Sequence, residues 1–134
     1  MKILEERITA YSKRNGYEAT HFAEAVCSSC GAKEFQLLIN ANEGVAARIC
    51  GSCESEHGIG DSDDFIDEVD EVFPVECECG GRTFSVVCGV SLYEGGEDVR
   101  WFYLACHCPA CNDAAVYADW KNEFIGYTAL LARV

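Results

Sequence analysis

The spacing of apolar and polar residues predicts a helix at the start of the chain and short strands over much of the rest. In residues 2–14, Leu4, Ile8 and Tyr11 recur every three to four positions, and Gly16 is suited to end a helix. Further along, apolar stretches of strand length alternate with polar turns that contain Gly, which is typical of short antiparallel strands.

Residues 61–73 combine many carboxylates with an apolar stripe. Phe65, Val69 and Val72 fit helical spacing, which favours a short amphipathic helix. The alternative is an extended connector whose apolar side chains dock on the neighbouring modules.

The last third of the chain is rich in aromatic residues. Trp101 and Tyr103 would lie on one face of a strand, because successive side chains point to opposite faces. Core packing is the simpler interpretation, and an exposed interface patch is the alternative. Residues 122–133 would form a closing helix or strand. The aromatic residues concerned are Trp101, Phe102, Tyr103, Tyr117, Trp120, Phe124 and Tyr127.

Composition indicates a soluble, folded chain. Its 134 residues include 49% hydrophobic residues and carry a formal net charge of −13, so we expect one domain or two very small ones. No apolar run approaches the roughly 20 residues that cross a bilayer, which predicts no membrane contact. Because no apolar signal sequence follows the first residues, we expect a cytoplasmic location.

The negative charge is concentrated in one part of the chain. Residues 54–78 contain eleven acidic residues and no Lys or Arg, whereas residues 1–26 and 27–53 each have no net charge. This argues against binding to nucleic acid, whose phosphates attract Lys and Arg, except in the N-terminal half. The carboxylates form either a solvated face or a docking surface for a basic protein partner. The candidate partner-binding residues are Asp61, Asp63, Asp64, Asp67, Glu68, Asp70 and Glu71.

Ten cysteines are the main chemical signal. In a reducing compartment, clustered thiols are metal ligands more often than disulfides. The first group, Cys27-x2-Cys30 and Cys50-x2-Cys53, has 19 residues between its two pairs, within the range of a four-thiolate zinc site.

The second group joins a tighter C-x-C pair to a C-x2-C pair, and its proposed ligands are Cys77, Cys79, Cys108 and Cys111. Cys106 competes with Cys108 for this site, because it forms a further C-x-C pair with it. We favour Cys108 and Cys111, whose spacing matches that of the first site. Cys88 and Cys106 then remain as buried free thiols, each acting as a small hydrophobe.

The two cysteine groups belong to an internal repeat. The segment from Cys30 to Leu38 aligns with the segment from Cys79 to Val87, with a basic residue three positions and a Phe five positions after each cysteine. An apolar stretch, a polar turn and an apolar return then lead to the second cysteine pair. Each copy therefore predicts a knuckle, a strand, a turn, a strand and a knuckle.

With these residues, the chain resembles two tandem copies of the zinc-ribbon family, which has rubredoxin-like knuckles, over roughly residues 22–60 and 74–121. The resemblance implies a small metal-stapled, mostly-β fold with two ribbons of short antiparallel sheets. It also implies two structural Zn²⁺ ions, since four thiolates leave no open coordination position. Iron is the alternative metal, because it accepts the same thiolate tetrahedron. The expected divisions are an N-terminal helix at 1–20, a first ribbon at 21–60, an acidic connector at 61–73 and a second ribbon with a C-terminal extension at 74–134.

No catalytic constellation is evident in the sequence. The three histidines are scattered, and no phosphate-binding glycine motif occurs. We therefore expect a non-catalytic protein–protein interaction module that binds a basic partner, for example an immunity-type inhibitor of a bacterial toxin or nuclease. The alternative is a nucleic-acid- or transcription-associated zinc-ribbon protein.

Overall fold

The computed structural model describes residues 1–122 and 125–134, and it is a small, mostly-β fold. Phe124, one of the aromatic residues considered above, lies outside the described residues. In chain order, the elements are α1 (Lys2–Asn15), β1 (His21–Glu24), β2 (Phe35–Asn40), β3 (Val45–Cys50), β4 (Glu56–Gly58), two 3₁₀ turns (Ser62–Asp64 and Ile66–Glu68), β5 (Phe73–Pro74), β6 (Ser85–Leu92), β7 (Val99–His107), β8 (Ala114–Lys121) and α2 (Tyr127–Leu131).

The predicted N-terminal helix is confirmed. Leu4 and Ile8 are fully buried, and they pack with Tyr103 against one face of the sheet that contains β7. The helix ends at Gly16, which adopts a left-handed φ of 86° and whose N–H donates to the carbonyl oxygen of Ser12. Glycine reaches this conformation without the steric cost that a Cβ adds.

The strands form two antiparallel four-stranded sheets that exchange their first strands. The C-terminal sheet has the order β1-β6-β7-β8, and the N-terminal sheet has the order β4-β3-β2-β5. β1 pairs Glu24 with Val87, and β5 pairs Pro74 with Leu38. Strand pairing therefore crosses the expected divisions: β1, placed in the first ribbon at 21–60, belongs to the sheet of the second.

The exchange follows an internal two-fold pattern. Phe35 and Phe84, which hold the same place in the two repeats, bond to each other through two reciprocal N–H to carbonyl hydrogen bonds of 2.8 Å. On either side of them, the residue two positions before each knuckle donates to the other repeat, as Ala25 N–H to Val86 O at 2.9 Å and Val75 N–H to Leu37 O at 3.0 Å. The two repeats are thus arranged like the halves of a strand-exchanged dimer.

Both sheets contribute to a shared hydrophobic core. Phe35 and Leu37 of the N-terminal sheet and Phe84 of the second repeat are buried in one cluster with side chains from β6 and β7. Along β7, Leu104 faces this core, whereas Trp101 and Tyr103 face α1. The predicted shared face of Trp101 and Tyr103 is confirmed: Tyr103 is fully buried, and Trp101 is half-buried.

The acidic segment differs from the predicted amphipathic helix. It forms two short 3₁₀ turns, and its apolar side chains are not uniformly docked, since Phe65 is 47% exposed and Phe73 is 52% exposed. The segment is instead fixed to β3 and β4 by its polar side chains. Ser62 Oγ accepts a hydrogen bond from Ala46 N–H, and Asp63 Oδ1 accepts one from Gly58 N–H. These bonds hold the backbone in tight turns rather than in a regular helix.

The chain closes with the five-residue helix α2, whose Leu130 is buried in the shared core. Within residues 1–122 and 125–134, neither helix has both the length and the apolar character needed to cross a membrane.

Candidate metal centres

Four thiols of the first repeat converge between its knuckles. Cys27 and Cys30 lie in the loop between β1 and β2, Cys50 ends β3, and Cys53 lies in the following turn. All four Sγ atoms lie within 4.8 Å of one another. Sγ of Cys27 is 3.6 Å from that of Cys53, and Sγ of Cys30 is 3.5 Å from that of Cys50. We call this group the first centre.

The second repeat builds an equivalent group from Cys77, Cys79, Cys108 and Cys111, which we call the second centre. Its Sγ separations are 3.6 Å between Cys77 and Cys111 and 3.6 Å between Cys79 and Cys108. Cys106 takes no part, because its side chain is fully buried in the shared core on β7. The structure thus brings together the eight thiols that the spacing selected, and each group could hold a metal ion.

The knuckles close in the same way in both centres, although one has a C-x2-C pair and the other a C-x-C pair. Gly31 N–H donates to Cys27 O, and Gly80 N–H donates to Cys77 O, each at 2.8 Å. Both glycines have a left-handed φ, 77° and 91° respectively. A glycine after the pair is therefore needed to turn the chain back toward the sheet.

A second glycine makes room for the tighter knuckle. A Cβ at Gly81 would lie 2.8 Å from Sγ of Cys108 and 3.4 Å from Sγ of Cys79. Any side chain at this position would therefore push the two sulfurs apart. The sequence showed only that Gly80 and Gly81 follow the pair; the contact with both sulfurs is visible only in the folded chain.

Hydrogen bonds favour the ionised form of Cys50 and Cys53 in the first centre and of Cys77 in the second. Cys53 Sγ is 3.1 Å from Ser55 Oγ, and the side chain and backbone N–H of Ser55 lower the pKa of Cys53 to about 6. The N–H of Cys79 lowers the pKa of Cys77 to about 7. These groups stabilise the thiolate, which is the form that binds metal.

The crowding of thiols opposes further ionisation. Although the N–H of Ala32 favours its thiolate, the neighbouring thiols raise the pKa of Cys30 to about 12. Cys111 behaves alike: Asp113 N–H favours its thiolate, but the surrounding cysteines raise its pKa to about 12. A cation bound by all four sulfurs would remove this repulsion, since metal binding displaces thiol protons.

A buried arginine distinguishes the first centre from the second. Arg48 is only 4% exposed, and its Nε donates to Val134 O at 2.8 Å. Its guanidinium lies 4.5 Å from the centre of the Phe35 ring. Burial lowers the pKa of Arg48, while the nearby thiols of Cys27 and Cys50 raise it. The guanidinium is thus placed to balance negative charge on the first centre, and nothing in the sequence marked it as buried.

Two thiols lie apart from both centres. Cys88 and Cys106 are fully buried and free, as predicted. Burial raises the pKa of both, so each remains a neutral thiol at physiological pH. In this environment, they contribute to packing rather than to ligand chemistry.

The candidate partner-binding carboxylates divide into two sets. Asp63 accepts the Gly58 N–H, Asp64 pairs with Arg133 at 3.3 Å, and Asp61 is half-buried beside Asn122. The second set, Asp67, Glu68, Asp70 and Glu71, is exposed, as Asp63 and Asp64 also are.

The exposed carboxylates border a groove that the sequence did not predict. Glu68, Asp70 and Glu71 line a groove of about 510 Å³ together with Glu43 from the β2–β3 turn. Asn40 Nδ2 fixes one side of it by donating to Glu71 O at 2.9 Å. The sequence did not place Glu43 beside these carboxylates, because it is 25 residues away from Glu68 in the chain.

Comparison with protein-family models, with curated proteins and with solved structures found no match for this chain.

Proposed function

We propose that the chain is a zinc-stapled, non-catalytic protein–protein interaction module that binds a basic partner in the cytoplasm. The observation that carries this proposal is the acidic groove at the β2–β3 turn, on a scaffold that holds two thiol centres and whose sheets share one core.

Zinc is the ion that suits the donors best. Two sets of four sulfurs, each mutually within 4.8 Å, match the tetrahedral all-cysteine coordination of structural Zn²⁺. Such a site has no vacant position for substrate or water, so the ions would stabilise the fold rather than catalyse a reaction. Iron would fit the same donors, and visible absorption and redox activity of the protein would distinguish bound iron from zinc.

The groove supplies the binding chemistry. Four carboxylates from two distant segments, Glu43, Glu68, Asp70 and Glu71, line one concave surface. Such a surface attracts basic proteins, raises their association rate and discriminates against acidic ones. An immunity-type inhibitor of a toxin or nuclease is a concrete form of this function, because the carboxylates would cover a phosphate-binding site.

The test removes three charges from the groove. The unaltered protein, used as bait, is expected to capture basic proteins from native lysate at low salt and to release them at higher salt. The triple variant Glu68→Gln, Asp70→Asn, Glu71→Gln is expected to lose this capture. The matched control neutralises the exposed Glu94, Glu97 and Asp98 at the β6–β7 turn. Equal capture by both triple variants would show that the groove is not the binding surface.

A second candidate function follows from an aromatic and basic cluster on the C-terminal sheet. The rings of Tyr17 and Trp101 stack at 4.9 Å, and the Arg100 guanidinium lies 4.3 Å from the Tyr17 ring. Aromatic rings with an arginine are used to bind single-stranded nucleic acid. A gel shift that survives physiological salt and is lost in Arg100→Ala would favour the nucleic-acid-associated alternative.

A further inference from the structure

A small polar pocket adjoins the acidic groove and is separate from both thiol centres. It has a volume of about 290 Å³ and lies between the β2–β3 turn, the first 3₁₀ turn and the end of β8. Glu43 lines both the pocket and the groove, so the two form one continuous surface. The lining residues are Glu43, Gly44, Asp61, Phe65, Trp120, Lys121 and Asn122.

Two buried polar atoms on the pocket wall have no hydrogen-bond partner among the described residues. They are Nε1 of Trp120 and Oδ1 of Asn122, on side chains that are each only 7% exposed. The other indole in the chain is satisfied, since Trp101 Nε1 donates to Asp119 at 2.8 Å. Unpaired buried donors and acceptors are rare and costly, so the pair indicates a missing partner.

The charge and shape around these atoms define the missing group. Asp61 is half-buried, and Asn122 Nδ2 contacts both of its carboxylate oxygens at 3.3 Å. Burial raises the pKa of Asp61, which means that its negative charge lacks full compensation. Phe65 offers a ring that is 47% exposed at the same pocket. The site therefore combines a carboxylate, an amide acceptor, an indole donor and an aromatic face.

We propose that this pocket binds the arginine side chain of a basic partner protein. The guanidinium would donate to the Asp61 carboxylate and to Asn122 Oδ1 and would stack on Phe65, while a carbonyl of the bound peptide would accept from Trp120 Nε1. This inference rests on the proposed function, because it names the chemical group by which the basic partner is anchored.

Arginine fits better than lysine or a larger ligand. Its planar guanidinium presents several donors in a fixed fork and stacks on aromatic rings, whereas lysine is a single point charge. The pocket lies just below the size of a typical small-molecule site, roughly 300–1,000 Å³, which suits one side chain. Because the two unpaired atoms are shielded from bulk solvent, binding requires a small shift of the pocket wall.

The chain offers a built-in reporter for the test. It contains two tryptophans, so ¹⁵N-labelled protein gives two indole N–H signals, and Trp101 serves as the internal control. Titration with N-acetyl-argininamide is expected to shift the Trp120 indole signal saturably and leave the Trp101 signal in place. N-acetyl-citrullinamide, which has a similar shape but no charge, should not shift either signal.

Variants locate the site. Asp61→Asn is expected to weaken N-acetyl-argininamide binding by about tenfold, which corresponds to about 1.4 kcal/mol. Glu94→Gln, at an exposed carboxylate outside both the pocket and the groove, is expected to leave it unchanged. An unmoved Trp120 signal, an equal response to N-acetyl-lysinamide, or equal losses in both variants would overturn the proposal.

The outcome is separable from that of the proposed function. If the groove triple variant loses its partner but argininamide never shifts Trp120, the arginine anchor is wrong and the acidic docking surface stands. If argininamide binds but the groove triple variant keeps its partner, the pocket stands and the proposed groove fails.

Discussion

Removing a single ligand from either centre is expected to unfold both sheets, because the repeats are interlocked. β1 leads into the first centre yet belongs to the C-terminal sheet, and β5 leads into the second centre yet belongs to the N-terminal sheet. The informative perturbations are Cys30→Ala and Cys79→Ala, which remove exposed ligands at equivalent positions of the two centres.

The expected loss of folding stability follows from the binding free energy of the metal and from the stability of a domain of this size. Structural zinc contributes about 10–16 kcal/mol of apparent binding free energy in small zinc-finger peptides at neutral pH. A whole domain is stable by only about 5–15 kcal/mol. Because each centre contributes two buried cysteines to the shared core, losing one ion removes support from both sheets at once. Neither half is left with a core of its own.

The assay is chelator titration followed by circular dichroism and amide-resolved NMR. Each ligand variant should lose signal dispersion in both sheets, while the neighbouring substitutions Ser29→Ala and Glu78→Ala, at exposed non-ligand positions, should stay folded. In the unaltered protein, both ions should leave in one cooperative transition. A folded half-molecule that keeps one metal ion and one intact sheet would refute the interlocking.

Three further outcomes are expected. Phe84→Ala, at the junction of the repeats, should lower the free energy of unfolding in urea by about 3–5 kcal/mol, since the ring is fully buried; a loss below 1 kcal/mol would contradict this packing role. Asp119→Asn should lower the pKa of Tyr11 toward its ordinary value, as measured by NMR titration, because the hydrogen bond to that carboxylate is what chiefly raises it; an unchanged pKa would contradict the assigned cause. Cys88→Ser should destabilise the fold by about 1–3 kcal/mol, because it buries an unpaired hydroxyl, whereas Cys88→Ala, which stays apolar, should cost less; the reverse order would show that a polar partner is present.

Local signals in the sequence were sufficient to predict the N-terminal helix and the two groups of cysteine ligands. The spacing of Leu4 and Ile8 and the stop at Gly16 lie within one element, so α1 could be predicted almost to the residue. The choice of Cys108 over Cys106 came from matching one knuckle to another, and the fold places Cys106 in the core.

The strand exchange had no such signal. β5 is only two residues long, and the contact between Phe35 and Phe84 joins residues 49 positions apart. The spacing of apolar residues along the chain therefore cannot predict the strand exchange. The alignment had nevertheless placed both phenylalanines at the same position of the repeat.

The acidic segment failed as a helix prediction for a different reason. The spacing of Phe65, Val69 and Val72 was helical, but Ser62 and Asp63 bind backbone groups of β3 and β4 and hold the turns tight. Such tertiary bonds override a weak local pattern. The arginine pocket was equally hidden, since Gly44, Asp61 and Trp120 come from three separate parts of the chain.

Native mass spectrometry with elemental analysis tests the central claim most directly, namely that two four-thiolate centres each hold zinc. The account predicts two zinc ions per folded chain, with all ten cysteines free of disulfides. A folded chain that carries no metal and holds these cysteines as disulfides would contradict it.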